Sequence, residues 1–157
     1  MPRPELRKVG LIVQARMGSA RLPGKSMMDL AGAPLLARIL ERVKRCRLVD
    51  TIIVATTQKP EDEVLMKLAQ SHGVSAYQGS ETDLVDRYYR AAKAFGSDVV
   101  VRFPGDTPVP EPEEIDRIIG HHLEATADFS SNLAQVYGNG YPDGIGAEVF
   151  NLSCLEQ

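Results

Sequence analysis

The chain has 157 residues, which is enough for one domain with a sizeable buried core. Hydrophobic residues make up 43% and charged residues 25% of the sequence, a composition typical of globular proteins. The net charge of −3 argues against a general nucleic-acid-binding protein, because such proteins carry a broadly basic surface. No segment approaches the apolar length of a membrane span, so neither nucleic acid nor a membrane is expected as a partner.

Two further features of the sequence predict a cytoplasmic location. Residues 1–8 lack the hydrophobic region of a signal peptide. The cysteines, Cys46 and Cys154, lie far apart in sequence and match no metal-binding or redox spacing. Two isolated cysteines are typical of a chain that stays reduced.

Strand-like and helix-like segments alternate along the chain, which predicts an α/β fold with a mostly parallel sheet. Apolar runs predict six strands, of which the last two have weaker patterns: Val9–Gln14, Thr51–Ala55, Val74–Tyr77, Asp98–Phe103, Asp128–Ser131 and Ile145–Phe150. Apolar residues at helical spacing predict three helices: Ala33–Cys46, a segment from Leu84 to Phe95, and a segment after Pro112. A fourth helix is predicted from Pro60 towards Gly73, because acidic residues follow Pro60 and a glycine can end a helix. Residues 153–157 are predicted to begin another helix.

The most informative segment follows the first predicted strand and spans residues 15–25. It interleaves two glycines, Gly18 and Gly24, with three cations. Glycines allow a backbone to approach a ligand closely, and free N–H groups after a strand attract anions. Since three cations in one short loop repel each other, an anion such as a nucleoside triphosphate is expected among them. The three cations are Arg16, Arg21 and Lys25.

Two other interpretations of this loop are less favourable. Solvated surface charges would not require glycines directly after an apolar strand. A P-loop requires four residues between its glycines, whereas five separate Gly18 from Gly24 here. In addition, residues 29–34 interrupt the long helix that a P-loop would need after Lys25.

Two more polar clusters follow predicted strands, where ligands gather in open α/β sheets. In residues 79–87, either Ser80 or Thr82 is expected to cap the next helix; Gly79 as a simple turn and Asp86–Arg87 as a surface pair remain alternatives. In residues 102–108, Asp106 is rigidly placed to hold Mg²⁺, which prefers one or two carboxylates plus phosphate oxygens. An aspartate that only bonds its own turn is the alternative.

Four sequence blocks together resemble the sugar-nucleotide cytidylyltransferases, and in particular the branch of the spore-coat polysaccharide biosynthesis protein F. The enzymes that activate 3-deoxy-manno-octulosonate and N-acylneuraminate with CTP belong to the same group. The blocks are in order and span the chain from about Val9 to its last residue. They are Gln14–Lys25, Gly79–Tyr89, Gly105–Pro108 and Tyr141–Phe150.

The resemblance implies a nucleotide-diphospho-sugar transferase fold, which is a Rossmann-like three-layer α/β/α sandwich. It also implies transfer of CMP from CTP to a small sugar acceptor for surface polysaccharide biosynthesis, with Mg²⁺ as cofactor. Arg16, Lys25 and Asp106 would be catalytic, and Asp106 would hold the metal. Nucleotide-binding residues would be Ala15, Arg16, Gly18, Ser19, Arg21, Lys25, Gly79, Ser80 and Asp83. Arg87, Asp143 and Glu148 would lie towards the acceptor.

The chain departs from the family pattern in three ways. Pro104 replaces a small polar residue before Gly105, and Ala33 replaces a lysine in the turn before Pro34. Family members also continue into a segment with a second metal-binding aspartate. We therefore expect residues 1–157 to be a single nucleotidyltransferase-like domain, truncated at its C-terminus. The uncovered sheet would favour self-association, with a homodimer as one expected partner.

Other functions stay open at the level of sequence. A nucleotide-binding domain with little or no catalysis would share the same loop, and a phosphate loop by itself reads no base. No general base stands out from the sequence. The histidines are interpreted as surface or capping residues because they fall at the ends of predicted helices: His72, His121 and His122.

Overall fold

The computed structural model describes residues 7–133, 140 and 142–156. Over these residues eight strands form: β1 (Val9–Gln14), β2 (Asp29–Leu30), β3 (Ala33–Pro34), β4 (Thr51–Thr57), β5 (Ser75–Gly79), β6 (Val99–Pro104), β7 (Phe129–Ser131) and β8 (Glu148–Asn151). The same residues contain four α-helices: α1 (Leu35–Val43), α2 (Glu63–Ser71), α3 (Leu84–Ala94) and α4 (Pro112–Glu124).

Six of these strands form one sheet in the order β5-β4-β1-β6-β8-β7. The four strands from β5 to β6 are parallel, with Val13 of β1 opposite Val54 of β4 and Phe103 of β6. The last two strands, β8 and β7, pair antiparallel. The mostly parallel sheet predicted from the alternating pattern is therefore confirmed.

Helices cover both faces of the sheet. On one face, the apolar stripes of α1, α2 and α4 pack against Leu11 and Val13 of β1. On the other face, α3 packs against Ile12 of the same strand. Because side chains of a strand alternate between faces, β1 feeds two cores, and the predicted three-layer α/β/α sandwich is confirmed. None of the helices in the described part of the chain combines the length and apolar character needed to cross a lipid bilayer.

The predicted first helix was too long at its N-terminal end. Ala33 and Pro34 belong to a small antiparallel hairpin with Asp29 and Leu30, and α1 begins at Leu35. The hairpin turns through Ala31 (φ 53°) and Gly32 (φ 88°), and positive φ at both central residues is typical of a type I′ turn. A local turn preference therefore outweighed the helical spacing of the apolar residues.

Two smaller predictions also need correction. His122 was interpreted as a surface or capping residue, but its side chain is fully buried between Ser130 and Asn151. The predicted terminal helix forms only a 3₁₀ turn over Leu152–Leu155, and residue 157 lies outside the described residues. Tyr141, the first residue of the last family block, also lies outside the described residues.

Candidate functional site

A cavity of about 510 Å³ opens where β1 and β6 end, beside the start of α3. This is the edge of the sheet at which ligands bind in open α/β folds. Its walls carry more positive than negative groups, which suits an anionic ligand. The carboxylates lining the cavity are Glu81 and Asp106, and the cations are Arg16, Arg21, Lys25, Arg87 and Arg102.

The loop of residues 15–25 folds back on the carbonyl oxygen of Met17. The N–H groups of Ser19 and Gly24 both donate to that oxygen, at 2.9 and 2.8 Å. Gly24 adopts a left-handed conformation with φ 74°, which suits glycine best, and it starts a 3₁₀ turn at Lys25. The fold of the loop thus brings Lys25 to the cavity together with the exposed side chains of Arg16 and Arg21.

A buried carboxylate that sequence analysis did not single out holds the start of this loop. Asp62 is only 1% exposed and accepts a hydrogen bond of 2.6 Å from the N–H of Met17 through Oδ1. Its other oxygen accepts from the hydroxyl of Thr57 at the end of β4. In the sequence, Asp62 stands in an acidic helix start, so its pattern indicates a favourable helix dipole rather than a contact to a distant loop.

Asp106 and Lys25 form an ion pair at the wall of the cavity. The loop after β6 approaches β1 so closely that a side chain at Gly105 would lie 2.3 Å from the carbonyl oxygen of Gln14. The N–H of Gly105 donates to that oxygen at 2.8 Å. Lys25 Nζ lies 2.8 Å from Asp106 Oδ2, and the Asp106 side chain is 44% exposed. The carboxylate is therefore accessible from the cavity.

The segment of residues 79–87 supports Arg87. Asp83 caps α3 by accepting from the N–H of Asp86 at 2.9 Å, so the expected cap at Ser80 or Thr82 was wrong. Ser80 instead accepts from the N–H of Asp83 through Oγ and from Arg87 Nη1 through its carbonyl oxygen. Arg87 is 4% exposed, and burial lowers its pKa. Its buried Nε has no hydrogen-bond partner among the described residues.

Four side chains form a chain that is here called the strand-end network. Gln14 and Arg102 line the cavity, and Tyr88 and Glu148 contact them from outside its wall. Tyr88 donates its hydroxyl proton to Gln14 Oε1 at 2.8 Å. Arg102 forms an ion pair with Glu148 and interacts electrostatically with Tyr88. Burial opposes the charge of Arg102, but its interactions with Glu148 and Tyr88 together outweigh burial and raise the pKa of Arg102. For Tyr88, in contrast, burial raises the pKa of the hydroxyl.

The structure brings seven of the predicted site residues to the cavity wall. Glu148 reaches the cavity only through Arg102, and Asp143 lies in an exposed turn whose Gly144 packs against Thr107. Gly18 lies beside Glu61. Gly79, Ser80 and Asp83 form the support of Arg87 described above. The seven lining residues are Ala15, Arg16, Ser19, Arg21, Lys25, Arg87 and Asp106.

Sequence analysis missed other residues of the cavity wall, notably Gln14, Glu81 and Arg102. A signal was present for Arg102, since it is a charged residue in an otherwise apolar strand. Gln14 likewise stands where an apolar strand ends. Glu81 lies 2.5 Å from Lys59, and this hydrogen bond raises the pKa of Lys59.

Comparison with known proteins places this cavity in a family. Residues 11–141 match the family model described as cytidylyltransferase. The spore coat polysaccharide biosynthesis protein SpsF of Bacillus subtilis (strain 168) is 33% identical over 148 residues, which cover 92% of this chain and 59% of that protein. The 3-deoxy-manno-octulosonate cytidylyltransferase of Anaeromyxobacter sp. (strain K) is 38% identical over 117 residues, which cover 73% of this chain and 47% of that protein.

A solved structure agrees with these relatives. A cytidylyltransferase from Leptospira borgpetersenii serovar Hardjo-bovis (strain JB197) superposes with a TM-score of 0.89 at 35% identity, covering 96% of this chain and 63% of that one. The predicted nucleotide-diphospho-sugar transferase fold is thereby confirmed, although the chain spans only about half to three fifths of its curated relatives. Because the family match includes the cationic loop and the strand end at Asp106, both the fold and the position of the cavity lead to one conclusion: this chain belongs to the cytidylyltransferase family.

Proposed function

We propose that the chain transfers the cytidylyl group of CTP to a sugar hydroxyl and releases pyrophosphate, in support of surface polysaccharide biosynthesis. The observation that carries this proposal is the pairing of Lys25 with Asp106 at 2.8 Å, beside Arg16 and Arg21. Cations are placed to receive phosphates, and an accessible carboxylate stands among them. Membership in the cytidylyltransferase family and similarity to SpsF support CTP and a sugar as the two substrates.

The residues around Asp106 fit a magnesium ion bound jointly with the nucleotide. Among the described residues, no cluster of three or more His, Cys, Asp or Glu side chains could hold a metal ion by itself. Mg²⁺ commonly takes one or two carboxylates and completes its shell with phosphate oxygens and water. Asp106 would hold the ion, which when bound supplies charge neutralisation at the phosphates.

The proposed reaction forms a bond between the acceptor oxygen and the α-phosphorus and breaks the bond to the departing pyrophosphate. The proton of the acceptor hydroxyl passes to solvent. Such chemistry depends mainly on positioning and on stabilisation of developing charge. Lys25, Arg16 and Arg21 would neutralise the negative charge that builds on the pyrophosphate.

Pyrophosphate release provides the direct test. The purified chain would be incubated with Mg²⁺, one of four nucleoside triphosphates, and a panel of acidic and amino sugars. We expect release with CTP that depends on one class of sugar, and little release with UTP, GTP or ATP. Equal release with all four triphosphates would contradict the choice of CTP. Tight CTP binding without release for any sugar would contradict transfer.

A further inference from the structure

The strand-end network orients the carboxamide of Gln14. A tyrosine hydroxyl has one proton, and an arginine side chain can donate hydrogen bonds but cannot accept them. Arg102 interacts electrostatically with Tyr88, and a guanidinium favours the lone pairs of the Tyr88 oxygen over its proton. The single proton of Tyr88 is donated to Gln14, which accepts it through Oε1 at 2.8 Å. The pattern of donors thus determines which end of the amide faces Tyr88.

The same argument determines what Gln14 offers to the cavity. With Oε1 engaged by Tyr88, the remaining polar atom of the carboxamide is the Nε2 group, which has two N–H donors. Among the described residues, none accepts a hydrogen bond from Gln14 Nε2, although Gln14 lines the cavity. The backbone oxygen of Gln14 is occupied by Gly105, so the side chain is the polar group that remains available.

An ion pair at the end of the network opposite Gln14 strengthens this arrangement. Glu148 pairs with Arg102, which keeps the guanidinium charged and in place. The positive charge of Arg102 near Tyr88 makes the Tyr88 proton a better donor to Gln14. The four side chains come from β8, β6, α3 and β1, so the orientation of Gln14 depends on the assembled sheet.

We propose that Gln14 donates a hydrogen bond to an oxygen of the bound nucleotide, and that Tyr88 is the positioning residue that keeps its carboxamide in the donating orientation. This inference rests on the proposed function, since it takes CTP as the ligand. The nucleotide is favoured over the acceptor because Gln14 lines the cavity together with Arg16, Lys25 and Asp106, the groups placed to hold phosphates and their metal.

A double-mutant cycle measured by calorimetry tests both roles with CTP as the probe. Gln14→Met keeps the shape of the side chain but removes the donor, and Tyr88→Phe removes only the hydroxyl. Each change should weaken CTP binding, by about five- to tenfold for Gln14→Met. The double variant should bind no more weakly than Gln14→Met, because Tyr88 acts through Gln14. Tyr89→Phe is the matched control, since Tyr89 contacts Lys93 and does not line the cavity.

A second readout reports on the orientation without any ligand. The ¹H–¹⁵N resonances of the Gln14 side-chain amide should shift in Tyr88→Phe and stay in place in Tyr89→Phe. Unchanged resonances in Tyr88→Phe would overturn the positioning role even if that variant were too unstable for calorimetry.

The results separate this inference from the function on which it rests. If the unmodified chain binds CTP and Gln14→Met binds it equally well, the donor role is wrong while the proposed function stands. If Gln14→Met instead changes only the dependence on acceptor sugar, Gln14 serves the acceptor and the proposal is overturned. If the unmodified chain binds no CTP, the proposed function fails, and this inference fails with it.

Discussion

The two walls of the cavity are built in different ways. The cationic wall consists of Arg16, Arg21 and Lys25, which come from one irregular loop and extend long side chains into a site open to solvent. The strand-end network, in contrast, consists of side chains from four separate elements. A hydrogen bond joins Tyr88 to Gln14, and an ion pair joins Arg102 to Glu148. One wall is continuous in sequence and the other exists only in the folded chain.

This difference predicts that the cationic wall mainly determines affinity and that the strand-end network mainly determines selectivity. The cations of the loop attract any polyphosphate, because Coulomb attraction depends weakly on direction. An oriented amide discriminates, because a hydrogen bond needs a partner of the right type at the right place. We therefore expect changes in the cationic wall to have large effects on all nucleotides, and changes around the network to have smaller, selective effects.

The largest effect is expected from Lys25→Ala. Removal of a preorganised charge at the phosphates should reduce turnover by about 10²–10³-fold. CTP affinity should also fall while CMP affinity changes little, because CMP lacks the outer phosphates. Turnover assays and calorimetry with both nucleotides provide the measurement. Lys67→Ala, on the exposed face of α2, is the control, and an equal loss in both variants would refute the role of Lys25.

The next largest effect is expected from Asp106→Asn, and its sign should depend on Mg²⁺. With Mg²⁺, the loss of the carboxylate should lower CTP affinity and turnover by about tenfold or more, because the ion loses its protein ligand. With a chelator present, CTP affinity should stay the same or rise, because a negative charge near the triphosphate has gone. Equal losses under both conditions would indicate that Asp106 only shapes its turn.

A smaller effect is expected from Asp62→Asn, which weakens the anchor of the cationic wall. The amide still accepts from the N–H of Met17, but it faces Thr57 with N–H donors, so the buried hydroxyl proton of Thr57 loses its acceptor. We expect the free energy of unfolding, measured in urea, to fall by about 1–3 kcal/mol, and we expect CTP to bind more weakly. Glu63→Gln is the control, since Glu63 is exposed at the next position of the chain. Normal CTP affinity in Asp62→Asn would mean that the loop holds its shape unaided.

The smallest effect concerns pH and should leave both walls intact. Burial lowers the pKa of His122, which lies between Ser130 and Asn151 and away from the cavity. Below about pH 6.5, His122 therefore binds a proton more readily in the unfolded chain than in the folded chain. The free energy of unfolding consequently falls as the pH decreases. When the free energy of unfolding is measured in urea at several pH values, it should depend less on pH in His122→Gln than in the exposed control His121→Gln. CTP affinity in His122→Gln should remain unchanged.

Residue types and spacing determined much of this protein before folding is considered. The alternation of strand-like and helix-like segments predicted an α/β fold with a mostly parallel sheet, because burial imposes a period on each element. The loop of residues 15–25 could be identified because glycines and cations close in sequence stay close in space. The position of Asp106 at the cavity could be predicted because it follows an apolar strand, and parallel strands end at one edge of a sheet.

Tertiary structure decided the contacts between distant residues. Asp62 gave a signal only as a favourable helix start, since its contact to Met17 joins residues 45 positions apart. Tyr88 lies on an apolar helical face, where its spacing predicts a core residue, and its hydroxyl finds Gln14 only once α3 packs on the sheet. Hydrogen bonds depend on direction as well as on residue type, and the pairing of strands and helices sets those directions.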